Sequence, residues 1–133
     1  MIEKVFRFLK DNPTFYVATL DGDKPRVRPF GLVVRHEGRL YFETSDQKDV
    51  YRQLRTNSNV EISTTSADHR WIRLRGKAVF EENMAVKRQA FADLPMLAGI
   101  YQTPENPAFV VFYLADAEAT ICGMTGESET ATF

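Results

Sequence analysis

The sequence predicts a mainly β domain of the α+β class, with six or seven antiparallel strands in a closed or partly closed barrel and two to three flanking helices. Three observations support this fold. Apolar residues mostly alternate with period two, and turn dipeptides such as Asp21-Gly22 and Glu37-Gly38 separate the runs. Only short stretches have helical spacing. Closing a sheet of many short strands removes its exposed edges, so a single barrel domain over residues 1–133 is expected.

The first part of the chain predicts one helix and a three-stranded meander. Apolar residues recur at helical spacing from Ile2 to Leu9, and Asn12-Pro13 ends this helix. Strands are then predicted at 15–20, at 25–35 with a bend at Pro29-Phe30-Gly31, and at 40–44.

A second helix is predicted directly after the third strand. Thr44-Ser45-Asp46-Gln47 fits a capping box, and Asn57-Ser58-Asn59 ends the apolar stripe that follows. Further strands are predicted at 60–65, 71–80, 109–114 and 118–122, with a helical segment at 82–94. Residues 124–133 are small and polar, so they are expected to be mobile or to lie on a partner.

Composition excludes several classes of protein. Hydrophobic residues make up 44% of the chain, too many for a disordered protein. The longest apolar run, residues 108–115, is far shorter than the roughly 20 residues of a membrane helix. Two histidines and one cysteine, Cys122, give neither a disulfide nor a recognisable metal site. We therefore expect a cytoplasmic protein without a bound metal.

Charge is unevenly distributed along the chain, although the net charge is only −1. Residues 24–77 carry 12 Lys and Arg against 6 Asp and Glu, whereas residues 78–133 carry 2 against 8. A concentrated basic segment indicates an anionic ligand. The alternative is that the basic and acidic segments pair with each other across the sheet or across a subunit interface.

Two places in the basic segment suit a phosphate group. Arg26 and Arg28 project from the same face of the second strand, since side chains alternate along a strand. Residues 44–48 lie where a strand turns into a helix, and the unpaired N–H groups of a helix start bind anions. The serine and threonine hydroxyls there add donors, and Lys48 adds a full charge. The alternative is an ordinary helix cap beside two solvated arginines.

The fifth strand provides a possible contact for a flat ring. Trp71, Arg73 and Arg75 share one of its faces, and an aromatic ring beside cations suits an electron-poor or anionic ring system. The alternative is a half-buried sheet face from which the arginines extend into solvent.

Taken in order, these motifs resemble the pyridoxamine 5'-phosphate oxidase-like family of FMN-binding split β-barrels. The resemblance spans about residues 1–115. It depends on the early helix, on Arg-Pro-Phe at 28–30, on a Tyr-Phe-x-Thr strand that leads to Lys48, and on Arg-Leu-x-Gly at 73–76.

The resemblance implies a homodimer with FMN at the subunit interface, and it implies a role for each motif. Arg28, Ser45 and Lys48 would hold the phosphate. The ribityl chain and the isoalloxazine ring would lie against Pro29, Phe30, Phe42 and Thr44. Trp71 and Arg73 would extend from the other subunit.

The chain departs from the true oxidases of this family, because those proteins are longer and recognise their substrate with a basic C-terminal segment. Here no basic residue follows Arg88. We therefore expect a flavin reductase or nitroreductase-like oxidoreductase with an unidentified small substrate, rather than a pyridoxamine-phosphate oxidase. The alternatives are a non-catalytic flavin or haem carrier on the same barrel, and a single-stranded nucleic-acid module, which the net charge disfavours.

Overall fold

The computed structural model describes residues 1–133 as one eight-stranded sheet with four helices, which confirms the α+β, mainly antiparallel class. The helices are α1 (Ile2–Asp11), α2 (Asp49–Thr56), α3 (Met84–Asp93) and α4 (Leu97–Tyr101). The strands are β1 (Phe15–Asp21), β2 (Lys24–Phe30), β3 (Val34–His36), β4 (Arg39–Ser45), β5 (Asn59–Thr65), β6 (Trp71–Glu81), β7 (Phe109–Cys122) and β8 (Ser128–Thr132).

The sheet has the strand order β2-β1-β5-β6-β7-β4-β3, and β8 pairs with β7 beside this path. It is an open, strongly curved sheet, consistent with a split barrel. The Phe30 ring on the outermost strand β2 lies 6.5 Å from the Phe112 ring on β7, four strands away. A flat sheet could not make that contact, so its margins curl toward each other.

The predicted long strand over residues 25–35 is wrong as a single element. It breaks into β2 and β3, which form the two opposite margins of the sheet. Pro29 withholds a ladder donor, and residues 31–33 carry the chain from one margin to the other. The expected hairpin at Glu37-Gly38 forms between β3 and β4, but β2, which carries Arg28, is not a neighbour of β4.

The predicted strands at 109–114 and 118–122 are one strand, β7, whose pairing with β6 shifts register between Arg75 and Lys77. A bulge at this position bends both strands. Gly76 is needed there, because a Cβ atom would lie 2.9 Å from the carbonyl oxygen of Ala115. The bend lets β6 and β7 continue, paired with each other, through both halves of the curved sheet.

Two hydrophobic clusters hold the fold together. The larger cluster lies between the concave face of the sheet and helices α1 and α2, and includes Phe15, Phe42 and Phe112. The smaller one lies where α3 and α4 cover the far side of β4 and β7, and includes Tyr41 and Tyr101. No helix covers the outer face of β2, β1, β5 and the first half of β6, where Tyr16 and Val27 are exposed.

Three further expectations need correction. Helix α2 begins at Asp49 with Lys48 as its N-cap, so residues 44–47 are not a capping box; the Ser45 hydroxyl instead accepts a bond from the Gln47 N–H in a preceding turn. Residues 128–132 of the expected tail form β8. The short helix α4 was not predicted.

None of the four helices is long and apolar enough to cross a membrane.

Candidate functional site at the start of helix α2

Arg28 lies on the concave face of the sheet and reaches helix α2. Its side chain projects on the same face as Val17 and Thr19, because Arg28 is paired directly with Val17. The Nη1 atom donates to the Val17 carbonyl oxygen at 3.1 Å and to the Thr19 hydroxyl at 2.8 Å. The Nη2 atom donates to Gln53 Oε1 at 2.7 Å. Arg28 therefore links strands β1 and β2 to the middle of α2.

The environment of Arg28 is partly dry. Burial lowers the pKa of Arg28, and the nearby Asp49 carboxylate partly opposes this effect. No carboxylate lies within ion-pair distance of the guanidinium, and its three hydrogen bonds leave two of its five N–H groups free. Arg28 is therefore fixed in position while its positive charge has no direct ion-pair partner.

Thr44 supplies a polar group without a partner. Its side chain lies on the same face of β4 as Phe42, and Thr44 is only 2% exposed. The Thr44 hydroxyl is the one buried side-chain polar atom that has no hydrogen-bond partner within the chain. Leaving such a group unpaired costs about 1–3 kcal/mol, so it is well placed to bind a ligand atom.

Lys48 and Ser45 stand at the turn between β4 and α2. Lys48 makes no ion pair, and as the N-cap it lies beside the unbonded N–H groups of the first helical turn. Ser45, on the opposite face of β4 from Thr44, contacts the Tyr101 hydroxyl. The segment that leads into α2 thus carries the Lys48 cation and two hydroxyls, one on each face of β4.

Glu43 is an acid that the sequence analysis did not single out. It lies between Tyr41 and Ser45 along the face of β4 that α4 covers, opposite Val111. Burial raises the pKa of Glu43, and the positive charge of Lys48 partly offsets that effect. The positive charge of Lys48 thus acts on this carboxylate from the turn before α2.

Two of the predicted ring contacts belong to the core. The Phe42 ring packs edge-on against Phe15 at 5.8 Å, and is 2% exposed. Phe30 is partly buried against Phe112. Pro29, in contrast, is exposed on the outer face of β2. A ligand on the concave side can therefore reach the Phe30 edge, whereas Phe42 shapes the site from beneath.

Trp71 and Arg73 lie on the outer face of the sheet. The Arg73 guanidinium carbon is 5.0 Å from the Trp71 ring centroid, and its Nε atom is 3.3 Å from Glu61 Oε1. Ile72 and Leu74, which alternate with Trp71 and Arg73 along β6, are buried in the core. The Trp71–Arg73 pair therefore projects away from Arg28 and Lys48. One chain therefore does not bring all the predicted residues together: Thr44, Ser45 and Lys48 lie in the segment that leads into α2 and Arg28 reaches the middle of that helix, whereas Trp71 and Arg73 lie on the outer face.

Sequence reasoning missed Thr19 and Gln53, the partners of Arg28. Gln53 Oε1 accepts from both Arg28 and the Thr19 hydroxyl, the latter at 2.6 Å. The available signal was a glutamine four residues after Asp49, on the face of α2 that packs on the sheet. No group of three His, Cys, Asp or Glu side chains is placed to hold a metal ion.

Comparisons with known proteins agree with this architecture. The family model for pyridoxamine 5'-phosphate oxidase matches residues 1–121. A NimC/NimA family protein from Clostridium acetobutylicum is 38% identical, with a TM-score of 0.91, over 98% of this chain and 91% of that chain. General Stress Protein 26 from Bacillus anthracis is 22% identical, with a TM-score of 0.73, over 98% of this chain and 100% of that one.

A heme binding protein from Mycobacterium smegmatis shares the fold at 21% identity and a TM-score of 0.71, over 90% of this chain and 52% of that chain. No curated protein matches the sequence. The family match over residues 1–121 and the 38% identical relative both cover the barrel and the start of α2. The chain therefore belongs to the pyridoxamine 5'-phosphate oxidase-like split-barrel family.

Proposed function

We propose that the chain is an FMN-binding flavoprotein, active as a homodimer, that transfers electrons to or from a small molecule. One observation carries the proposal: the short segment that leads into α2 holds a hydroxyl without a hydrogen-bond partner, on Thr44, and an ammonium without an ion pair, on Lys48. A hydroxyl donor and a free cation in one short segment suit a phosphate, which accepts several hydrogen bonds and carries up to two negative charges.

The residues present fit the phosphate end of FMN. Lys48 and Arg28 would supply positive charge, Ser45 and Thr44 would supply hydroxyl donors, and the first turn of α2 would supply N–H groups. Each charge-assisted hydrogen bond contributes about 1.5–3 kcal/mol. The bonds from Arg28 to Thr19 and Gln53 keep the guanidinium in place before the ligand arrives.

The flavin itself supplies the hydride or electron chemistry when bound. The chain's contribution is to hold the phosphate, orient the ring and set the charge around it. Phe30 would border the ring from the concave side. Trp71 and Arg73, which face outward, would complete the site of a second subunit.

The same placement supports the proposed homodimer. The outer face of β1 and β2 is not covered by any helix and exposes Tyr16 and Val27, which are 50% and 67% exposed. Covering this face with a second copy would bury both side chains and bring Trp71 toward the other subunit's ligand. Sedimentation at micromolar concentration is expected to give about twice 15.2 kDa; a monomer that still binds FMN contradicts the shared site.

The direct test is spectroscopic. Protein as purified, or after incubation with FMN and gel filtration, is expected to be yellow with the flavin absorption bands. It is also expected to be reduced by a nicotinamide donor and reoxidised by an added acceptor. A colourless protein that takes up no FMN overturns the proposal, and uptake without turnover reduces it to flavin carriage.

A haem carrier on the same barrel is the second candidate, because a fold neighbour is a heme binding protein. Neither histidine of the chain lies at the start of α2: His36 is in β3, beside Tyr41, and His69 is in the turn before β6. Titration with haemin and with FMN in parallel separates the two. A Soret band at stoichiometric haemin, with no FMN uptake, favours the haem carrier.

A further inference from the structure

A small cleft opens beside the candidate site, between the first turns of α2 and the junction of β6 with the following loop. Its volume is about 190 Å³. Aromatic, aliphatic and acidic residues line it: Tyr51, Phe80, Val110, Val111, Glu81 and Glu82. None of these residues was assigned a role in holding FMN.

The size and walls of the cleft fit one aromatic ring. An apolar cavity of about 150 Å³ is large enough to bind benzene. The Tyr51 and Phe80 rings meet nearly edge to face, with centroids 4.8 Å apart, and Phe80 is held in turn by Phe112 at 5.1 Å. Tyr51, Phe80 and Val110 are half-buried, so the walls are ordered yet accessible from solvent.

The acidic residues of the cleft accept hydrogen bonds. Glu82 bonds to the ammonium of Lys87 at 2.8 Å, and the Lys87 side chain is only 3% exposed. Glu81 accepts from the Tyr41 hydroxyl and from the Asn83 side-chain amide, and its other oxygen lies 3.9 Å from a guanidinium nitrogen of Arg39. These contacts leave carboxylate lone pairs free, and an ionised carboxylate only accepts. A ligand group that meets Glu81 or Glu82 must therefore donate.

The cleft adjoins the proposed cofactor site. Val110 is paired directly with Thr44, whose hydroxyl is unpartnered, and Tyr51 follows Lys48 by one helical turn. We propose that the cleft binds a single-ring aromatic compound that carries an N–H donor, such as an amide, amidine or amine. The site stands on its own geometry, and only the role of this compound as the redox substrate depends on the proposed function.

Three ligands of one shape and different charge test the proposal. Benzamide and benzamidine both donate N–H groups, whereas benzoate at neutral pH only accepts. With ¹⁵N-labelled full-length protein, the two donors are expected to shift the amide signals of Tyr51 and Val110, with Kd on the order of 1 mM. Benzoate is expected to bind at least roughly tenfold more weakly, because its carboxylate has no N–H or O–H group to donate to Glu81 or Glu82.

Variants show whether the cleft is the site. Val110→Trp is expected to fill it and to abolish the benzamide shifts, while Ile100→Trp, on the exposed side of α4, leaves them unchanged. Should Val110→Trp melt at a lower temperature than the unmodified protein, Tyr51→Ala, which removes one wall, is expected to weaken benzamide binding instead.

Several outcomes overturn the inference. Equal binding of all three ligands excludes recognition by the carboxylates, and unchanged binding in the variants places the ligand elsewhere. Displacement of benzamide by FMN assigns the cleft to the cofactor and also overturns it. The FMN titration tests the proposed function and not the cleft. A protein that binds benzamide and takes up no FMN contradicts only the proposed function.

Discussion

The two faces of the sheet treat positive charge differently. On the outer face, each of two arginines has an acidic partner: Arg73 with Glu61 at 3.3 Å and Arg75 with Glu118 at 2.7 Å. On the concave face, Arg28 is hydrogen-bonded only to neutral groups, and Lys48 at the start of α2 has no ion pair. The basic segment is thus partly neutralised, by Glu61 from within the segment and by Glu118 from the acidic C-terminal segment, whereas Arg28 and Lys48 keep charges without an ion pair.

The largest expected effect is at Arg28. Replacing it with alanine removes a phosphate contact and leaves Thr19 and Gln53 with fewer partners, so we expect at least roughly tenfold weaker FMN binding. The free energy of unfolding is also expected to fall, by about 1–3 kcal/mol. Isothermal titration and urea denaturation measure the two quantities.

Arg26→Ala is the matched control for Arg28. Arg26 projects from the same face of β2 but is exposed, and bonds only to the carbonyl oxygen of its neighbour Pro25. If Arg26→Ala weakens FMN binding as much as Arg28→Ala does, general charge rather than a fixed contact attracts the cofactor.

Lys48→Ala isolates binding from stability. Because Lys48 makes no ion pair or side-chain cap, its removal is expected to change the unfolding midpoint little while weakening FMN binding roughly tenfold. Fluorescence titration of FMN measures the affinity. Lys10→Ala, which removes an exposed lysine of helix α1, is the control; equal losses of FMN affinity in both variants place the phosphate away from α2.

On the outer face, Arg73→Ala is expected to leave the unfolding free energy within about 0.5 kcal/mol, since exposed ion pairs contribute little. FMN affinity is nevertheless expected to fall several-fold if Arg73 completes the other subunit's site. Arg75→Ala, which breaks the neighbouring pair with Glu118, serves as control. An Arg73→Ala protein with unchanged FMN affinity removes Arg73 from the site.

The smallest effect concerns Glu43. Burial raises the pKa of Glu43 in the folded protein, so folding favours the protonated carboxyl. The stability of the folded state is therefore highest below the pKa that Glu43 has in the unfolded chain. It declines as the pH rises from that pKa through the pKa of the folded protein. Glu43→Gln is therefore expected to raise the melting temperature at pH 7 relative to the unmodified protein, and to leave it nearly unchanged at acidic pH. Lys48 and Tyr101, the charged and titratable groups near Glu43, are kept in both proteins.

Much of this arrangement was predictable because it is local. Helix α1, the alternation along β1, β5 and β6, and the grouping of Thr44, Ser45 and Lys48 follow from residues close together in sequence. The division of residues 25–35 between two sheet margins was not predictable, because it depends on which strands pair across the whole chain. For the same reason, no sequence pattern identified Thr19 and Gln53 as partners of Arg28.

The crossing between β2 and β3 has a mechanical consequence. From Phe30 to Val34 the chain advances four residues, a fully extended reach of about 14 Å at most. This short covalent connection joins β2 and β3, the two margins of the sheet. The margins therefore cannot separate far enough to admit a large molecule between them. A ligand must therefore enter from the rim of the barrel and not through the gap between its margins.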